Sequence, residues 1–226
     1  MAALKLLTSM ASRELLRDLA ARFEAATSQS VSIEAAGGVE VAKRIRGGEL
    51  ADIVVLARNA IEGLVEAGAL VGASVTDIAR SGIAVAVRAG ASCLDVATEE
   101  SLKRAVMAAN SVSFSTGPSG VYLEKIFANW GVLEELRARI VVPPPGVPVG
   151  SLLASGTVQL GFQQLSELLN LPGIRVLGPL PAAIQLATIF SGAVACVSKQ
   201  AEIASALLQY LASPEVRDIK PRFGME

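Results

Sequence analysis

The sequence predicts an α/β fold in two lobes, with helices packed against largely parallel sheets. Three observations carry this reading. Strand-like aliphatic runs alternate with segments of helical periodicity from the start of the chain. Of the 226 residues, 52% are hydrophobic but only 4% are aromatic, a composition suited to helices close-packed on a buried sheet. Two breaks, one around Arg80-Ser81 and one at Gly178-Pro179-Leu180-Pro181, divide the alternation into groups.

In the first group, residues 4–7 read as a buried strand. Ser12 is placed to cap a helix whose apolar stripe is Leu15, Leu16, Leu19, Ala20 and Phe23. Residues 31–34 read as a second strand. Gly37-Gly38 then breaks the chain, as a tight turn needing positive φ would, and a helix over 39–46 ends at Gly47-Gly48. Residues 52–56 form a third strand, and a helix over 60–67 closes at Gly68. This βαβαβα order implies parallel strands with right-handed crossovers. Ligands of such sheets sit beyond the strands' C-terminal ends. Here those ends are Thr8-Ser9-Met10-Ala11-Ser12, Ala35-Ala36-Gly37-Gly38 and Ala57-Arg58-Asn59.

The second group opens with a strand over 82–88 and continues with a helix over 102–109 and a strand over 111–114. After Ser115-Thr116-Gly117-Pro118-Ser119-Gly120 comes a helix over 121–130. Pro143-Pro144-Pro145-Gly146 reads as a stiff connector, 151–154 as a short helix and 159–163 as a strand. A strand over 188–197 and helices over 201–211 and 214–219 complete the chain. The expected lobes are residues 1–81 with 186–226, and residues 82–185. Two chain crossings between them would make a hinge, with a ligand cleft between the lobes.

Composition excludes several functions. With 20 basic and 21 acidic residues the chain has no field for gathering nucleic acid, and no segment is long and apolar enough for membrane insertion. Histidine is absent, which removes Ser-His-Asp chemistry, histidine metal sites and imidazole acid–base work. No metal-ligand cluster, nucleotide motif or other cofactor signature is present, so no cofactor is expected. Cys93 and Cys196 read as separate buried thiols, with a disulfide between them as the alternative. The N-terminus carries no leader pattern, so the protein is periplasmic if a signal peptide has been removed and cytoplasmic otherwise.

The candidate ligand residues lie on small, polar, glycine-containing turns leading into helices. Such turns present backbone N–H groups at the positive end of a helix dipole. The first is Ser9 with Met10, and the second is Gly37-Gly38-Val39. The third is Ser119-Gly120 with Tyr122 one helical position on, and the fourth is Gly150. Arg80-Ser81, at the expected crossing, offers a guanidinium that could clamp a carboxylate, or a plain surface arginine; Arg58 is a weaker counterpart. Gln163 could donate to a ligand or satisfy the backbone. Glu40 and Glu124 could move protons but read as solvated helix residues.

Several of these stretches resemble a family. Leu6-Leu7-Thr8-Ser9, Gly37-Gly38-Val39, and Gly48-Glu49-Leu50-Ala51-Asp52-Ile53-Val54-Val55-Leu56 do so. So do Arg80-Ser81-Gly82-Ile83-Ala84-Val85-Ala86-Val87-Arg88, Pro118-Ser119-Gly120, and Leu160-Gly161-Phe162-Gln163-Gln164. Together they resemble the type 2 periplasmic solute-binding proteins, in the molybdate-binding-like branch that is similar to aconitate isomerase. The resemblance implies two α/β lobes, a cleft, and an oxyanion held by hydroxyls and amides. It also implies a possible partner in an ABC transporter permease. Gly37-Gly38-Val39 stands where the molybdate binders carry serines, and Arg80 suits a carboxylate. A di- or tricarboxylate is therefore the expected ligand, with molybdate or another tetrahedral oxyanion as the alternative. Simple binding is expected over catalysis; the competing reading is an isomerase that shifts a double bond by proton transfer.

Overall fold

The computed structural model describes residues 2–226 except 145; Met1, and Pro145 of the expected connector, lie outside the described residues. Its elements follow from apolar patterning. Strand β1 (Leu4–Ser9) is followed by a 3-10 turn (Met10–Ser12) and helix α1 (Arg13–Thr27). Then come β2 (Val31–Ala36), α2 (Gly38–Arg46), β3 (Ile53–Ala57) and α3 (Arg58–Glu66). The long β4 (Thr76–Arg88) leads to α4 (Glu99–Ala108), β5 (Val112–Phe114), α5 (Pro118–Asn129) and α6 (Leu133–Leu136). Next are α7 (Val149–Ser155), β6 (Leu160–Gln164), α8 (Leu165–Leu168) and β7 (Ile174–Pro179). Strand β8 (Ala187–Val194), helix α9 (Ala201–Ala212) and a 3-10 segment (Pro214–Phe223) finish the chain.

The chain divides into two compact units, Met1–Arg80 with Thr188–Glu226, and Ser81–Ala187. In the first, β1 lies between β2 and β3, parallel to both, and β8 runs antiparallel to β3. Successive residues of β1 and β3 point to opposite faces. Leu4, Leu6, Ile53 and Val55 join Leu15, Leu16, Leu19 and Phe23 of α1 and Leu207, Leu208 and Leu211 of α9. Leu7, Val54 and Leu56 join Val41 and Ile45 of α2 and Ile61 and Leu64 of α3 on the other face. A strand buried on both sides must be apolar at every position, which is why residues 53–56 show no polar alternation.

The second unit repeats the logic. Strand β6 lies between β4, antiparallel, and β5, parallel; β7 pairs β4. Ile83, Val85, Val87, Leu160 and Phe162 face α4, α5 and α6. Ala84 and Ala86 face α7 and α8. Phe127 anchors the first of these cores, edge-on to Phe114 and Phe162 with ring centroids 5.9 Å from each.

Several sequence expectations change. Ser12 does not cap α1 with its side chain, because its hydroxyl is bonded to Thr8 and Ser9 instead. Neither Gly37 nor Gly38 has positive φ; Gly37 sits at φ −59°. The strand expected from residue 82 starts at Thr76, and Gly178-Pro179, read as punctuation, ends the unanticipated strand β7. The residues between Gly117 and Val121 belong to α5, which starts at Pro118 with no separate turn. Cys93 and Cys196 are free, as expected, but exposed, not buried.

An ion-pair network joins β1, β2 and α2 in the first unit. The Arg44 guanidinium donates to Glu34 and Glu49, and Lys5 Nζ donates to Glu49 at 2.9 Å. Hydrogen bonds from Arg44 and then Lys5 hold the Glu49 carboxyl down at about 2, from an ordinary 4.5. A carboxylate depressed in the folded state stabilises above its unfolded value and loses that contribution as pH falls toward the folded one. Glu49→Gln should therefore lower the urea midpoint at pH 7, and the gap from the unaltered chain should close between about pH 4.5 and 2. A gap that does not change with pH would contradict this account of the network.

Candidate functional site

In the first unit the site residues sit where parallel strands end. Ser9 is the last residue of β1 and lies in register with Ala36, the last of β2. The chain leaves β2 through Gly37 and enters α2 at Gly38. A Cβ added to Gly38 would lie 3.7 Å from the Ser9 Cβ, so the two residues are immediate neighbours. A Cβ added to Gly37 would meet nothing. Neither backbone conformation nor crowding thus requires glycine at 37, and the bare backbone is exposed. The first bond of the α2 ladder runs from the Val41 amide to the Gly37 carbonyl. The amides of Gly38, Val39 and Glu40 therefore precede the ladder, at the positive end of the helix.

A chain of hydroxyls stands beside those amides. Thr8 Oγ1 donates to the Val55 carbonyl at 3.0 Å, so across 2.7 Å it accepts from Ser12 Oγ. Ser12 having spent its proton, Ser9 Oγ donates to it across 3.1 Å. This last link is also the longest, and long for a hydroxyl–hydroxyl bond. Ser9 can turn its proton toward an incoming anion at small cost. Met10 is half-buried, and its sulphur lies 4.0 Å from Arg13 Nη1.

In the second unit β5 ends at Phe114, in register with Phe162 of β6. The following loop brings Ser115 Oγ within 2.8 Å of Ser119 Oγ. In the first turn of α5, Pro118 has no amide, and the Gly120 and Val121 amides both donate to the Gly117 carbonyl. That leaves the Ser119 amide ahead of the ladder, next to the two hydroxyls. Gly120 is glycine because a Cβ there would sit 1.7 Å from the Ser115 carbonyl oxygen, so the helix start and the loop touch directly. Buried Ser81 accepts from the Ser166 amide at 3.3 Å.

The remaining candidates have structural partners. Arg80 is exposed, and its Nε and Nη2 donate to Glu226 Oε2 at 3.0 and 2.6 Å; the two residues also exchange backbone hydrogen bonds. Tyr122 donates its hydroxyl to the Ile184 carbonyl at 3.1 Å. Gly150 is buried inside α7, where a Cβ would lie 2.3 Å from Leu171. Gln163 accepts from the Val149 amide at 3.0 Å and donates to Glu167 at 2.8 Å, so it caps α7. Arg58 donates to Glu62 at 3.0 Å and Asp77 at 2.7 Å. Glu40 and Glu124 are exposed. Sequence reasoning overlooked Ser115, although the string Ser115-Thr116-Gly117-Pro118-Ser119 places two hydroxyls around a helix start. It also overlooked Gln185, whose amide holds both the N–H and the carbonyl of Ile83 at 3.0 Å. A partner 102 residues away leaves no local signal.

Residues 4–226 match the family described as bacterial extracellular solute-binding protein, and the chain belongs to it. It is 38% identical over 208 residues to an aconitate isomerase from a Pseudomonas species, covering 88% of this chain and 78% of that protein. Among solved structures it is similar to the periplasmic molybdate-binding protein of Azotobacter vinelandii, with TM-score 0.84 and 20% identity over 99% of this chain and 98% of that one. It is also similar to the substrate-binding domain of a putative molybdenum ABC transporter from Clostridium difficile, with TM-score 0.76 and 17% identity over 99% and 98%. At such identities the structures establish the fold, that of the type 2 periplasmic binding proteins. No helix among the described residues is long and apolar enough to cross a membrane.

The two glycine positions separate packing from access. Gly120→Ala should lower stability by about 1–3 kcal/mol or more, because backbone and not a flexible side chain stands in the way. Gly37→Ala should change it by less than about 1 kcal/mol. Thermal unfolding of the two variants checks this, and equal losses would contradict the assignment.

Proposed function

We propose that this chain binds a small polycarboxylate anion of the aconitate or citrate type, as an exported solute-binding protein serving an ABC transporter permease. The observation that carries the anion is the recurrence of one donor arrangement in both units. Ser9 stands with the leading amides of α2, and Ser115 and Ser119 with the leading amide of α5. Both sets offer hydroxyl and peptide donors and no carboxylate acceptor among the bonds just described. Such donors bind negative charge without a large net positive charge. This accords with a formal charge of −1. The carboxylate class is supported by the 38% identical relative, whose name specifies aconitate. Gly37-Gly38 adds to this: bare backbone just ahead of Val39 suits a planar carboxylate approaching the peptide groups.

A second reading is aconitate isomerisation, and the same relative favours it. The reaction needs a group that removes an allylic proton and returns it at another carbon. Without histidine, the acid–base side chains on the helices that follow these loops include Glu40, in the first turn of α2, and Tyr122, in α5. Tyr122 already donates to Ile184. Binding without turnover therefore remains the primary reading, and Glu40 is the base to test in the other.

Isothermal titration should show binding of cis-aconitate or citrate. Ser9→Ala and Ser119→Ala should each weaken it by about 10-fold or more, the scale of a hydrogen bond to a charged group. Binding of molybdate with no binding of any carboxylate would overturn the ligand assignment. Proton NMR of cis- and trans-aconitate incubated with the protein should show no interconversion. Interconversion abolished by Glu40→Gln would replace binding with catalysis.

A further inference from the structure

We infer that Arg13 is the charge-recognising residue for the carboxylate ligand; this rests on the proposed binding of a polycarboxylate at the Ser9 loop. A polycarboxylate brings two or three negative charges, and hydroxyls and amides alone do not neutralise them. A guanidinium gives paired donors matched to a carboxylate. The obvious candidates are already matched to acids. Arg58 is held between Glu62 and Asp77, and Arg80 by Glu226. Lys5 lies near the other end of β1, bonded to Glu49.

Arg13 differs in place and in partners. It follows Ser12 directly and is the first residue of α1. A cation there opposes the helix dipole, which favours negative charge at that end. Its side chain folds back along the loop, with Nη1 4.0 Å from the sulphur of Met10, the residue after Ser9. It is half-buried. Its acidic partner is its chain neighbour Glu14, which accepts from Nε at 2.6 Å and is shared with Arg17 at 3.4 Å. Among the described residues no partner takes the Nη2 edge. A guanidinium in a locally unfavourable position, steadied by a thioether and with one edge open, suits a ligand carboxylate arriving at the Ser9 hydroxyl. It also gives Met10 a role, as the support that keeps the fork over the loop.

The test is titration of cis-aconitate into the unaltered chain and into Arg13→Gln, Arg13→Lys and Glu14→Gln. Arg13→Gln should weaken binding by about 10-fold or more. Arg13→Lys should fall between, since it keeps the charge but not the planar fork. Glu14→Gln, which removes the competing carboxylate from an exposed position, should tighten binding. Far-UV circular dichroism and the unfolding midpoint identify any variant that fails to fold, and Glu14→Gln then decides alone. Unchanged affinity in Arg13→Gln, or unchanged or weaker affinity in Glu14→Gln, overturns the role of Arg13 and leaves the binding proposal standing. No binding of cis-aconitate by the unaltered chain overturns both.

Discussion

The structure depends on strands that are apolar on both faces. Leu6 and Leu7 of β1, and Val54 and Val55 of β3, point to opposite sides of their sheet and are buried on each. Burying such side chains contributes roughly 1.5–3 kcal/mol each, and only helices on both faces can bury them all. Parallel strands covered that way need crossover helices, and each crossover leaves a loop and a helix N-terminus where a strand ends. Ser9, Gly37 and Gly38 occupy those positions because the core demands the topology. The proposed site is a by-product of covering the sheet, with small residues at the strand ends.

The same constraint explains how much was legible in advance. The apolar stripe of α1 and the uninterrupted run of β3 announce themselves, because periodicity is a direct imprint of burial. Element ends were less legible. The strand expected over 82–88 does not include residues 76–80, a run interrupted by Asp77 and Arg80, yet they form the start of β4. Asp77 accepts from Ser191 at 2.6 Å and Arg58 at 2.7 Å, and Arg80 is paired through backbone and side chain with Glu226. These are tertiary bonds to residues far away in the chain, so no local pattern carries them. Strand β7 was hidden by Gly178 and Pro179, residues that usually end strands and here close one against β4.

At the site, residue types were legible and their roles were not. The turn glycines were identified, but the folded chain does not require all of them to be glycine. Gly120 and Gly150 are required by close packing, one against a carbonyl and the other against a leucine. Gly37 is required by neither packing nor backbone angle. Sequence alone does not distinguish a glycine that accommodates the protein from one that accommodates a guest. Hydroxyls follow the same rule. Ser12 looked like a helix cap, yet its proton belongs to a chain that orients Ser9.

The central claim is that leading helix amides, those of α2 beside Ser9 and that of α5 beside Ser119, bind the anion. Amide chemical-shift mapping by two-dimensional NMR during addition of cis-aconitate tests it most directly. The account requires the largest shifts at Gly38, Val39, Glu40 and Ser119, where an anion would polarise the N–H groups. Shifts concentrated instead on the separate groove lined by Cys93, Asp95, Gly178 and Pro181, with those four amides unmoved, would contradict it.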